Sequence, residues 1–177
     1  MHQPVETVDQ IVARLTSGDS WQGSSTISYS MTGLWRTDAG GNRLPVGADD
    51  PDAAAITTMS AAEKTYAREA FELWDDLIVQ QITENSDRNA NIAFNYTTSA
   101  VHSTNGYTQT ATSPATMLVR ANIWFTNNAE FTADASFGAA SFGTHAQNNY
   151  LHEIGHTLGL RHPGNYDSVG GATISYE

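Results

Sequence analysis

Near the start of the chain, Val8, Ile11, Val12 and Leu15 stand at i, i+3, i+4 and i+7, which predicts a short helix over Val5 to Leu15, ended by Gly18-Asp19. Ser24 to Thr32 alternates instead, with Ile27, Tyr29 and Met31 on one face, and predicts a strand. Thr37 to Asp52 is rich in Gly, Asp, Asn and Pro and reads as a surface loop. The longest regular pattern runs from Ser60 to Gln81. Ser60 and Glu63 form a capping-box signature. Ala67, Ala70, Phe71, Trp74, Leu77 and Ile78 then make one apolar stripe, read as a helix face turned to the core. Asn91 to Thr97 alternates through Ile92, Phe94 and Tyr96, and Thr116 to Phe125 through Val119, Ala121, Ile123 and Phe125, so both predict strands. Between them Tyr107 to Thr112 is extended, polar and Thr-rich, and suits the edge of a sheet better than its centre. Ala133 to Gly143 reads as a loop, and a last helix is expected from about Thr144 to Leu160. Strands and helices mixed in this order predict an α+β (mixed α/β) domain.

Composition narrows the function. The 177 residues suffice for one domain with a sizeable core. No apolar run approaches the ~18 residues that span a bilayer, so no membrane partner is expected. Lys and Arg total 8 against 19 Asp and Glu, a formal charge of −11, and such a surface repels phosphate backbones, so no nucleic acid is expected either. There are no cysteines, which excludes disulfides and thiol chemistry and leaves His and carboxylates to hold any transition metal. Met1-His2-Gln3-Pro4-Val5-Glu6 does not read as a classical signal peptide.

The chemistry concentrates in the last helix. His152 and His156 are four residues apart, so on a helix they lie only about 40° apart and can reach one metal. Leu151, Ile154 and Leu158 cluster roughly opposite and would anchor the helix in the core. Glu153 lies about 100° round from His152, poorly placed as a third ligand and well placed to hydrogen-bond a water on the metal. Gly159 can take the left-handed conformation that ends a helix, letting His162 swing back as the third ligand. Three His leave a position open for water or substrate, the arrangement of a catalytic zinc site. There a carboxylate can take the proton of the water as it attacks a carbonyl and return it to the leaving amine. HExxH alone is a moderate signal; Gly159 and His162 at their offsets make it specific. His2 and His102 read as surface residues, and His145 as a cap or surface residue.

The pattern His152-Glu153-x-x-His156-x-x-Gly159-x-x-His162 resembles the metzincin signature. With Pro163 following, the run is most similar to the serralysins, secreted bacterial alkaline zinc proteases. Thr7-Val8-Asp9-Gln10 and Ser20-Trp21-Gln22-Gly23 resemble that family's opening segment. Ser60-Ala61-Ala62-Glu63 through Trp74 resembles its first long helix, and Ala90-Asn91-Ile92-Ala93-Phe94 a following strand. The resemblance implies a metzincin-like catalytic domain with a twisted mixed sheet, a long backing helix and an active-site helix, with zinc on the floor of a cleft. It maps His152, His156 and His162 onto the zinc ligands and Glu153 onto the general base. It places Tyr107, Thr108, Gln109, Thr110, Ala111 and Thr112 on an edge strand over the cleft, where an extended peptide could pair. It also implies broad endopeptidase activity on polypeptides and extracellular secretion by type I export.

Two departures shape the domain expectation. Serralysins place a Met-turn, Met-Ser-Tyr, beneath the zinc. Here Met31, Met59 and Met117 all precede the zinc motif, and only Ile174-Ser175-Tyr176 imitates that turn. The calcium-binding Gly-Asp repeat pattern of the family does not occur. Residues 1–177 are therefore expected to be mainly the N-terminal, upper subdomain of a metalloprotease catalytic domain, through the zinc-binding helix. The C-terminal subdomain and repeat domain would lie outside this chain, with any Ca2+ bound there. The main functional expectation is a zinc-dependent endopeptidase that hydrolyses peptide bonds through a zinc-bound water. The alternative is a zinc-bound, catalytically incompetent fragment that binds peptides or an inhibitor. The partners expected are polypeptide substrates, with the C-terminal remainder of its own chain or a protein inhibitor as further candidates.

Overall fold

The computed structural model describes residues 7–21, 23, 25–32, 35–37, 43–45, 59–86, 89–97, 106–113, 117–126 and 145–162. In chain order the elements are α1 (Val8–Leu15), β1 (Thr26–Ser30), β2 (Trp35–Thr37), β3 (Arg43–Pro45), α2 (Ala61–Asp75), β4 (Gln81–Glu84), β5 (Ile92–Thr97), β6 (Gly106–Thr112), β7 (Leu118–Thr126) and α3 (His145–Thr157). The fold is the expected mixed α/β arrangement. A five-stranded sheet has the order β4-β1-β5-β7-β6. The pairs β4/β1, β1/β5 and β5/β7 are parallel, and β6 alone runs antiparallel, against β7 at one edge.

The core lies between this sheet and the two longer helices. Ile92, Phe94 and Tyr96 of β5 and Ile123 and Phe125 of β7 are almost fully buried. Phe94 is the hub: its ring meets Phe71 of α2, Phe125 of β7 and Tyr150 of α3, at centroid distances of 6.1, 5.1 and 5.4 Å. Tyr29 of β1 stacks on Phe71 at 3.8 Å. Tyr66, Ala67, Ala70 and Phe71 form the buried face of α2, and Trp74 extends it to α3 by donating its indole N–H to the Leu151 carbonyl at 3.0 Å. Gly155 keeps α3 slim at this contact, since a β-carbon there would meet the Trp74 ring at 3.1 Å.

Several expected boundaries shift. The Ser60–Glu63 capping box is present at the start of α2, but the helix stops at Asp75 rather than Gln81. The Asp75 carboxylate accepts from the Ile82 N–H, which turns the chain into β4, a strand that begins at Gln81, where the apparent helix pattern ends. Leu77 accordingly leaves the expected core stripe and is 76% exposed. The stretch from Thr37 to Asp52 is not all loop, because Arg43–Pro45 pairs antiparallel with Trp35–Thr37. Strands of three residues are too short to show an alternating pattern. The loop expected over Ala133 to Gly143 lies outside the described residues.

Helix α1 begins at a reciprocal Thr7–Gln10 capping box, yet its apolar stripe faces outward: Val8 is 74% and Val12 50% exposed. Backbone bonds rather than side-chain burial hold this segment. The Ser17 N–H donates to the Gly159 carbonyl and the Arg161 N–H to the Leu15 carbonyl, both at 2.8 Å. Among the described residues, no helix is long and apolar enough to cross a membrane.

Candidate metal centre and catalytic cleft

Helix α3 is fixed by Tyr150 and Ile154, both fully buried, with Leu151 and Leu158 packed against the same core. Ile154, Leu151 and Leu158 were expected on this face; Tyr150 was not singled out. The helix ends as Gly159 predicts. Gly159 has φ +93°, its N–H donates to the His156 carbonyl at 3.1 Å, and the Leu160 N–H donates to the Gly155 carbonyl at 3.0 Å. These two bonds are the Schellman pattern, which satisfies carbonyls left open at a helix end and reverses the chain.

The reversal brings His162 back to the helix. The Nε2 atoms of His152, His156 and His162 lie 3.1, 3.1 and 2.7 Å from one another. The Nδ1 of His156 is 2.8 Å from the Leu160 carbonyl. A carbonyl can only accept, so Nδ1 carries the proton and the Nε2 of His156 presents its lone pair. Tetrahedral nitrogens about 2.05 Å from one zinc would stand about 3.3 Å apart, close to the observed triangle. Three imidazoles thus fit the donor set of a zinc ion. Burial first, and then His156 and His162, lower the pKa of His152 and favour its neutral, ligating form.

Glu153 is 7% exposed, and its Oε2 accepts from the Thr108 hydroxyl at 2.7 Å. Burial raises its pKa, opposed by a hydrogen bond from Thr108 and by His156 and His162. Glu153, His156 and His162 line one cleft of about 410 Å³ with Gly106, Tyr107, Thr108 and Thr110 of β6. The stretch Tyr107 to Thr112 belongs to β6, the edge strand of the five-stranded sheet, and its Tyr107, Thr108 and Thr110 line the cleft with His156 and His162. Within it Tyr107 stacks on Trp124 at 6.4 Å, Gln109, Thr110 and Thr112 are exposed, and Ala111 is buried.

The N-terminal segment braces the turn that carries His162, a contact with no pattern in the sequence to mark it. Arg161 donates from Nε and Nη2 to the Arg14 and Ala13 carbonyls at 3.1 and 2.8 Å, and the Trp21 indole N–H donates to the Thr157 carbonyl at 2.7 Å. Ser17 and Asp19 line the cleft wall as a result. Nothing periodic announces this. The resemblance of Ser20-Trp21-Gln22-Gly23 to a family segment was the one available hint.

A mixed sheet with an antiparallel edge strand, set against a helix and turn that present three convergent imidazoles beside a buried glutamate, defines a metallopeptidase-type catalytic domain. The chain belongs to the matrixin family, whose peptidase model matches residues 52–177. It is 30% identical over 165 residues to Serralysin B of Dickeya chrysanthemi, covering 91% of this chain and 31% of that protein. It is 27% identical over 180 residues to Serralysin G of Dickeya chrysanthemi, covering 96% of this chain and 35% of that protein. The serralysin-type metzincin resemblance holds, and the chain spans about a third of the length of these curated relatives.

Proposed function

We propose that this chain is the zinc-dependent catalytic part of a secreted endopeptidase acting on polypeptides. The observation that carries the reading is the convergence of the three Nε2 atoms beside a buried carboxylate, next to a cleft bordered by β6, the edge strand of the sheet among the described residues. His152, His156 and His162 would hold the ion. When bound, zinc supplies Lewis-acid activation of water and of the scissile carbonyl. Glu153 accepts the proton of the attacking water and delivers it to the departing amine. The edge of β6 turned away from β7 offers N–H and C=O groups to an extended substrate, adding it as a further strand. Secretion rests on the resemblance to serralysins.

The test uses the intact native protein, loaded with zinc and assayed on casein and a fluorogenic peptide. Hydrolysis that a chelator abolishes and added zinc restores is the expected result. Zinc bound with no hydrolysis of either substrate would favour a peptide- or inhibitor-binding role instead.

A further inference from the structure

Thr108 is tied to Glu153 more closely than an edge-strand residue needs to be. Its hydroxyl lies 2.7 Å from Glu153 Oε2 and 3.0 Å from the main-chain oxygen of Glu153. The approach is built into the strand. Gly106, two residues earlier on the same face of β6, comes so near that a β-carbon there would lie 3.2 Å from Glu153 Cγ and 2.9 Å from the Phe125 ring. Glycine at 106 lets the strand close on the helix, and one pleat further along Thr108 fills the next gap with a hydroxyl.

A hydroxyl has a single proton. Given to Oε2, it makes the shorter, charge-assisted bond and occupies one of the two carboxylate oxygens. Threonine suits this because branching at Cβ makes χ1 stiff, so the position of the hydroxyl oxygen is largely set by the backbone, and its proton rotates to the nearest acceptor. Glutamate has three side-chain torsions, and a general base must stay within hydrogen-bond reach of the proton it takes. A displacement of about 1 Å at such a site can cost about 100-fold in rate.

We propose that Thr108 is a positioning residue for peptide hydrolysis: its hydroxyl clamps Oε2 of Glu153 and leaves Oε1 to receive the proton from water. The proposal rests on Glu153 acting as the general base. It gives the edge strand a second duty, because the element that pairs with substrate also sets the carboxylate.

The experiment compares Thr108→Val, which keeps the shape and loses the hydroxyl, with Thr108→Ser, which keeps the hydroxyl. Both are made in the intact native protein. Thr108→Val should lower kcat about tenfold or more with KM little changed, while Thr108→Ser keeps most of the activity. Independently of turnover, the infrared carboxylate band that disappears in Glu153→Gln should shift in Thr108→Val and stay in place in Thr108→Ser. That readout applies to metal-free and zinc-loaded protein alike. An unshifted band in Thr108→Val overturns the proposal, as does wild-type kcat or an effect confined to KM. If the wild type binds zinc without cleaving peptides, the general-base reading fails, and the proposed role in hydrolysis falls with it. The band would still show whether the clamp exists. Should Thr108→Val not fold, Thr108→Ala carries the same expectations.

Discussion

Gly159 and Asp19 are packed so closely that a β-carbon on Gly159 would lie 2.2 Å from the Asp19 carbonyl oxygen. The glycine is thus required twice, once for φ +93° and once because the N-terminal segment passes directly over it. Gly159→Ala should destabilise the protein by more than the roughly 1–3 kcal/mol of left-handed strain alone. Because His162 follows three residues on, zinc affinity should fall at least tenfold, whereas substitution of the exposed Leu77 should leave it intact. Denaturant midpoints and competitive zinc titration check both. Wild-type zinc affinity in Gly159→Ala would show that the brace is not needed to hold His162.

The edge strand supplies a backbone test. Gln109 pairs with Asn122 and Thr110 with Ala121. In an antiparallel ladder successive residues direct their N–H groups alternately towards and away from the neighbour. Of Gln109→Pro and Thr110→Pro, one therefore removes a donor from the side of β6 turned away from β7 and the other from the β6/β7 ladder. The first should raise KM for peptides with stability little changed, and the second should lower stability. Steady-state kinetics and melting curves on both variants decide it. Unchanged KM in both would remove the strand from substrate binding.

Much of this arrangement was legible in the residues, for physical reasons. Side-chain periodicity is local, so the strands of Ile27, Phe94 and Ile123, and the helix of Phe71, announce themselves through burial on one face. Ligand spacing is local as well: His152, His156, Gly159 and His162 lie within eleven residues, and helix and turn geometry alone can converge them. What escaped depends on side-chain contacts that periodicity does not encode. The end of α2 is set by the Asp75 carboxylate reaching Ile82, and the brace on the His162 turn by Trp21 and Arg161 across more than a hundred residues. Thr108 was legible as part of an edge strand, but its bond to Glu153 spans 45 positions and has no sequence signature. The apolar stripe of α1 shows the converse limit, since periodicity identified the helix while the face it marks stands exposed.

Removal of the Glu153 carboxylate addresses the central claim most directly. The amide in Glu153→Gln is close in shape, can still hydrogen-bond Thr108, and cannot take a proton from water. Zinc stoichiometry and kcat should be measured side by side for wild type and Glu153→Gln in the intact native protein. One zinc per chain is expected in both, with a loss of about two or more orders of magnitude in kcat for Glu153→Gln. Near-normal turnover by Glu153→Gln, with zinc bound, would contradict it and place the base elsewhere in the cleft.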